Sequence, residues 1–340
     1  MPYAGRSQLS DTTRRSTVLE ILVTGGAGYL GSILVGLLLE AGHRVRVVDC
    51  LLHGGQPLLS FWHYPGFDFR YGNICDVEFM RASLCGVDAI VHLAAIVGDP
   101  ACARDPAYAR EVNLVASINL LQECRARAVG RFIFASTCSN YGSASTTDQF
   151  ADERTELRPL SVYAETKVEF EKDMFDLQYG SHLSVTSLRL ATLYGVSPRM
   201  RFDLTVNEFT LEVLTRKHLV VHGENAWRPY VHVRDAARAI CEVLQARSAN
   251  AVEVYNVGST SQNFRKRDLV DFIRMHAPAA QIEYVAKNEQ DLRNYRVSFD
   301  KIAAKLSFRT NWTVQDGIEE VARLVKSNVI NAGAYPRCRN

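Results

Sequence analysis

Tyr163 and Lys167 stand four residues apart in Ser161-Val-Tyr-Ala-Glu-Thr-Lys167. On a helix that spacing puts both side chains on one face, a single turn from each other. A phenol ionises only near pH ~10, so it is a poor base at neutral pH unless a neighbouring cation favours the phenolate. An ammonium group one turn away is such a cation. The pair could therefore take the proton from an alcohol while the carbon gives up hydride. The same spacing also occurs on solvated helix faces. It acquires meaning only if other elements bring a hydride acceptor to the tyrosine.

Such elements precede it. Val18 to Thr24 is a compact β-forming run that enters Gly25-Gly-Ala-Gly28-Tyr29-Leu30-Gly31. An apolar helical pattern from Ile33 to Glu40 follows, closed by Gly42, and Arg44-Val-Arg-Val-Val-Asp49 is a second strand ending in an acid. This is a βαβ unit with glycines at its first turn. Gly25 permits the tight turn, Gly28 admits a pyrophosphate close to the backbone, and Gly31 lets helix and sheet pack closely. The phosphates would then meet the helix N-terminus. Asp49, 18 residues after Gly31, would accept hydrogen bonds from a ribose 2′-hydroxyl and repel a 2′-phosphate. Arg46 lies within the strand and Leu51-Leu52 follow the acid, so no basic residue is in place for NADP. The expected cofactor is NAD.

The chain continues in the same rhythm. Phe67 to Tyr71 is a further strand, leading into Gly72-Asn73-Ile74. Ala89 to Ala95 is a nearly continuous apolar strand, as a parallel sheet covered on both faces requires. A helix is expected from Glu111 through Cys124, a strand from Arg131 to Ser136, a helix past Lys167 to Gly180, and a strand from Ser184 to Leu190. Strands alternating with helices imply an α/β fold with a Rossmann-like doubly wound parallel sheet. Beyond Gly195 the pattern loosens. The expected organisation is a tail over 1–17, a dinucleotide-binding domain over 18–194 with later sheet pieces near 229–258, and a smaller interleaved substrate lobe over 195–228 and 259–335. Asn73, Ile74, Leu93, Ala94 and Ala95 are assigned to the cofactor along with the glycine turn.

The remaining composition narrows the class. Basic residues exceed acidic ones by 39 − 37 = 2, so no global field recruits nucleic acid or an anionic membrane. The eight cysteines show no Cys-x-x-Cys spacing and read as thiols of a reducing compartment. The first 17 residues lack an apolar h-region, and no stretch reaches spanning length. A cytoplasmic enzyme without a metal is expected. His92 and His232 lie on apolar strands and read as core histidines.

Thr24 to Gly31, Val91-His-Leu-Ala-Ala95, Asn113, Ser136-Thr-Cys-Ser-Asn-Tyr-Gly142, Tyr163 with Lys167, Leu188 to Gly195 and Arg228-Pro-Tyr-Val-His-Val233 occur here in one order. In that order the chain resembles the extended short-chain dehydrogenase/reductase family, in its branch of nucleotide-sugar epimerases and dehydratases. The resemblance implies a catalytic hydroxyl at Thr137, a Lys167 that also holds the nicotinamide ribose, and an Asn113 beside the cofactor. Arg228, Arg293, Arg296, Arg199 and Arg201 are implied as substrate contacts, together with Thr192, Asn207 and Asp291. It further implies a homodimer acting on a nucleotide-diphosphate sugar.

At Cys138-Ser139 the chain departs from the family. Members that eliminate water carry an Asp-Glu pair there, because two further acid/base groups are needed. Members that epimerise C3 and C5 place a cysteine at the position of Ser139, one residue away from Cys138. Dehydration, 3,5-epimerisation and decarboxylation are all disfavoured, with Cys138 and Ser139 kept as candidate acid/base groups. The reading is a 4-epimerase working through a 4-keto sugar. A 4-dehydrogenase or 4-ketoreductase that releases its product is the alternative, and a non-catalytic NAD-binding scaffold is the reading from another class.

Overall fold

The structure is a computed structural model that describes residues 18–142, 149–177, 182–246, 252–286 and 293–329. The first half runs β1 (Glu20–Thr24), α1 (Tyr29–Glu40), β2 (Arg44–Asp49), β3 (Phe67–Tyr71), α2 (Val77–Ser83), β4 (Ala89–His92), α3 (Asp99–Arg104), α4 (Pro106–Arg110), α5 (Ala116–Ala126), β5 (Arg131–Thr137), α6 (Val162–Leu177) and β6 (Ser184–Leu190). The second half adds β7 (Thr192–Tyr194), α7 (Thr205–Arg216), β8 (His218–His222), β9 (Trp227–His232), α8 (Val233–Gln245), β10 (Val252–Val257), β11 (Asn263–Arg265), α9 (Lys266–Arg274), β12 (Gln281–Val285), α10 (Asp300–Leu306) and α11 (Val314–Lys326).

Seven strands form one parallel sheet in the order β10-β6-β5-β4-β1-β2-β3. Ile21 to Thr24, Ala89 to His92 and Phe132 to Phe134 are buried, which is why these central strands carry near-continuous apolar residues with helices on both faces. The strand order reverses between β1 and β4, and open sheets of this kind bind ligands outside the carboxyl ends of the strands at that point. Register brings those ends together: Thr24 pairs with Val48 on one side and His92 on the other, and Thr137 pairs with Leu190.

Two smaller sheets, β11-β9-β7 and β12-β8, make up the rest. Here the expected boundary needs correction. Trp227–His232 joins a small sheet, while Val252–Val257 closes the edge of the large one. β9 contains Arg228 and Pro229, and its outer partner β11 pairs with it antiparallel at Asn263 to Arg265.

The helix expected from Glu111 begins earlier. Asp105 caps it by accepting from the Tyr108 amide at 3.0 Å, with Pro106 in the first turn, both favoured at a helix start. A π-helical turn over Glu111–Val115 then joins α4 to α5. Such turns insert a residue into a helix and often lie at functional sites. This one puts Asn113 inside, where its side-chain oxygen accepts from the Ile96 amide at 2.8 Å and its nitrogen donates to the Ile96 carbonyl at 3.0 Å. Asn113 thus fixes the chain just beyond β4. Among the described residues no helix is long and apolar enough to cross a membrane, and no cluster of side chains has the makings of a metal site.

Candidate active site

The glycine turn is shaped by contacts no side chain could share. Gly25 has φ +75°, and a Cβ there would lie 2.8 Å from the Ala94 nitrogen. A Cβ on Gly31 would lie 2.2 Å from the Gly25 carbonyl oxygen, so only glycine lets α1 start against the turn. The N-cap, Gly28, offers no side-chain bond to the first helical amides, which leaves them facing the cleft as donors. Asp49 closes the far side, its carboxylate accepting from the Ala27 amide at 3.0 Å and the Leu51 amide at 2.8 Å. Burial pushes its pKa up, while those two amides and the Arg199 guanidinium act in the opposite sense.

One cleft, with about 1280 Å³ of space including its open mouth, runs from Asp49 past the glycine turn to Tyr163 and Lys167. Asn73, Ile74, Leu93, Ala94 and Ala95 line it, as do Ser136 and His53. Lys167 is buried and donates to the Ala135 carbonyl at 2.9 Å, with its ammonium 4.4 Å from the Phe134 ring centre and 5.8 Å from that of Tyr163. Burial brings its pKa down to about 8. Burial acts on Tyr163 in the other direction and holds the phenol protonated, well above its ordinary range; Arg201 is the strongest opposing influence. The lysine alone therefore does not produce the phenolate that the four-residue spacing suggests. Thr137 accepts from the Ser139 amide at 3.1 Å, capping the short turn that follows β5, and that role leaves the hydroxyl proton available to a second partner.

Of the residues expected to contact substrate, several are drawn together and others are not. Cys138 is a correction. Its thiol points into the core and donates to the Arg189 carbonyl at 3.2 Å, and burial raises its pKa well above the usual thiol value. It is buried and absent from the lining of the cleft. Ser139 faces the other way, its hydroxyl 3.4 Å from that of Tyr295. Arg228 donates to the Trp227 and Arg293 carbonyls at 2.8 and 2.5 Å and lies over the Tyr295 ring. Arg293 pairs with Asp99 at 2.6 Å, and Arg296 stacks on Phe150 and Trp227. Thr192 begins β7, partly buried, outside the lining of the cleft. Asn207 is also corrected: it is fully buried and bonds Gly195, Arg201 and the Tyr29 hydroxyl, which is a bracing role. Asp291 and the 1–17 tail lie outside the described residues.

The sequence profile of the NAD dependent epimerase/dehydratase family matches residues 21–258. The chain belongs to that family. Among its relatives, a dTDP-glucose 4,6-dehydratase of Actinoplanes sp. is 31% identical over 324 residues, covering 91% of this chain and 98% of that one. A UDP-glucose 4-epimerase of Corynebacterium glutamicum is 28% identical over 273 residues, covering 75% and 80%. In three dimensions the Thermus thermophilus UDP-glucose 4-epimerase, solved as a complex with NAD, superposes with a TM-score of 0.80 at 27% identity, over 92% of this chain and all of that one.

The residues present fit the cofactor of this NAD-dependent epimerase/dehydratase family. The glycine cradle, the donor amides of α1 and the acid at the end of β2 are the groups a dinucleotide needs, and they share one cleft with Tyr163 and Lys167. Arg199 and Arg201 line the same cleft as Asp49 and the glycine turn. A basic group does therefore stand near Asp49. Sequence reasoning also missed Asp99, His53 and Tyr295. The only local sign of Asp99 was Gly98-Asp-Pro100, where Gly98 takes φ +93°. His53 and Tyr295 carry no signal beyond their proximity to Asp49 and Arg293 in the chain.

Proposed function

We propose that the protein is an NAD-dependent nucleotide-sugar 4-epimerase that oxidises C4 of an NDP-hexose to a transient ketone and reduces it again from the other face. The observation that carries this reading is the chemistry beside Tyr163. Position 138 is a thiol sealed in the core, and position 139 is a serine hydroxyl. Loss of water requires two further acid/base groups; inversion at C4 requires none.

NAD, when bound, supplies the hydride acceptor and a positively charged ring. Tyr163 takes the proton of the 4-hydroxyl, and Thr137 donates to the same oxygen and holds it in place. Lys167 holds its ammonium beneath the tyrosine from the Ala135 carbonyl. When the ketone has turned over, Tyr163 returns the proton to that oxygen. The phenol is held protonated until positive charge enters the cleft, which suits a base that acts only on a loaded site. Arg228, Arg293 and Arg296 supply cationic groups for the nucleotide diphosphate. The partly exposed Tyr108 and Val115, on the run from α4 to α5, suit a two-fold dimer packed through that run and α6.

The 4-epimerases among the relatives support this reading, and the dehydratases define the competing outcome. The test is the mass and retention of products from the NAD-loaded protein with a panel of nucleotide sugars. An unchanged mass with altered retention is expected. Loss of water would replace the reading by a dehydratase, and loss of two hydrogens by a dehydrogenase.

A further inference from the structure

Arg199 and Arg201 reach the cofactor cleft from outside the large sheet. The chain from Gly195 to Asp203 leaves β7 and crosses the start of α1. The Tyr29 hydroxyl donates to the Gly195 carbonyl at 2.6 Å, and the Ser197 hydroxyl donates to the Tyr29 carbonyl at 2.6 Å. Ser32 and Ser197 meet through their hydroxyls at 3.1 Å. Asn207 donates to the Arg201 carbonyl at 2.9 Å and to the Tyr29 hydroxyl at 3.2 Å, and Glu320 accepts from the Val196 amide at 2.8 Å. The segment is thus pinned at its start to the helix whose first amides face the cleft, and held farther along by Asn207 of α7, which also bonds Tyr29.

The two guanidinium groups are buried, at 6% and 7% exposure, and both line the cleft. Arg199 is the cation whose charge acts on Asp49, at the ribose end. Both arginines act on His53, and Arg201 also acts on Tyr163. Asp203 accepts from its Nε at 3.1 Å and from Nη2 at 2.5 Å, which fixes the plane of the guanidinium and leaves Nη1 directed elsewhere. The same cleft is lined by the turn Gly28 to Gly31, where a dinucleotide places its diphosphate.

We propose that Arg199 and Arg201 clamp the cofactor's diphosphate on the side opposite the α1 amides, so that the segment Gly195 to Asp203 is a strap that must lift before the cofactor can leave. The proposal rests on the cleft being the NAD site. Guanidinium forks match phosphate oxygens in shape and charge, and the helix N-terminus adds donors from below. A reaction that reduces and reoxidises the same cofactor in each cycle gains from such retention. These arginines would then belong to the cofactor, although the segment carrying them follows the Rossmann half of the chain.

The test measures NADH and ADP-ribose binding without any sugar nucleotide, by fluorescence and calorimetry, and NADH release by stopped flow. In Arg199→Gln and Arg201→Gln each Kd is expected to rise about 10-fold, with faster release, as loss of one charge-assisted contact implies. UDP-glucose affinity should stay within about twofold. Should a glutamine variant fail to fold, Arg199→Lys and Arg201→Lys carry the test: they lose the fork but keep the charge, and should raise the NADH Kd about threefold. Unchanged NADH and ADP-ribose binding in variants with weakened UDP-glucose binding would overturn the clamp and return both arginines to the substrate. Unchanged binding of every ligand would also overturn it. A wild-type protein that fails to bind NADH would instead sink the reading of the cleft itself.

Discussion

The glycine turn of the cleft and the region around Ser139 and Arg228, where the sugar half of the site is proposed to lie, are held by different means. Around the glycine turn, position is set by backbone: strand ends in register, amides of one helix, and glycines whose absent Cβ atoms leave room for the chain itself. Around Ser139 and Arg228, position is set by side chains gripping one another across distant segments, Asp99 with Arg293, Ser139 with Tyr295, and Arg228 with the carbonyl of Arg293. Backbone geometry cannot be altered one group at a time, whereas each side-chain pair can. Contacts of the second kind can thus change piecemeal while the glycine cradle stays fixed.

Tyr163 lies where the halves meet, and its removal gives the largest expected effect. Tyr163→Phe should cost roughly 10³-fold in turnover with NADH affinity and melting temperature unchanged; a parallel loss of NADH binding would mean that the phenol belongs to the cofactor half after all. Gly31→Ala tests the backbone half. Its new Cβ meets the Gly25 carbonyl, so a loss of about 1–3 kcal/mol in stability is expected, read as a lower thermal midpoint together with weakened NADH binding. An alanine variant that binds NADH normally would break the contrast.

Smaller effects sharpen it. Cys138→Ala should leave turnover within about twofold while lowering stability by about 1 kcal/mol through the small cavity created, and a large loss of turnover would return the thiol to the chemistry. The last effect is a pH dependence and concerns Lys167. In the cofactor-free protein its pKa is lowered to about 8 by burial, against an ordinary lysine near 10.5. Between those values the unfolded chain binds more protons than the folded one, so this group's contribution to stability rises with pH across the window. Denaturant midpoints of wild type and Lys167→Met should accordingly diverge in favour of wild type from pH 8 upward. Parallel curves would show that Lys167 does not titrate there.

The contrast also explains what could be read from the chain alone. The glycine turn, Asp49, and the alternation of strands and helices are local, and they appear in the structure close to where the residue pattern puts them. The pairing of Tyr163 with Lys167 was legible for the same reason, because four residues on a helix fix a neighbour. Asp99 with Arg293 was not, since no local period links positions so far apart. Cys138 failed for a subtler cause: at the end of β5 one residue decides whether a side chain enters the core or the cleft, and the chain there passes directly into a short helical turn. Arg199 and Arg201 were legible as candidates, but the anchorage of their segment on α1 was not, because it is made by Ser197, Tyr29 and Asn207, each unremarkable by itself.

The π-helical turn over Glu111–Val115 makes chain length itself a functional variable. Each residue of an α-helix turns the chain by about 100°. Deleting one residue from this turn would close the bulge and turn Asn113 away from its inward position, in a run whose Tyr108 and Val112 line the cleft. The amide of Asn113 would lose its hold on both polar groups of Ile96, and the wall beyond β4 would be released. Sequences that differ here by a single gap would thus differ in how the cleft is braced, however similar their catalytic residues.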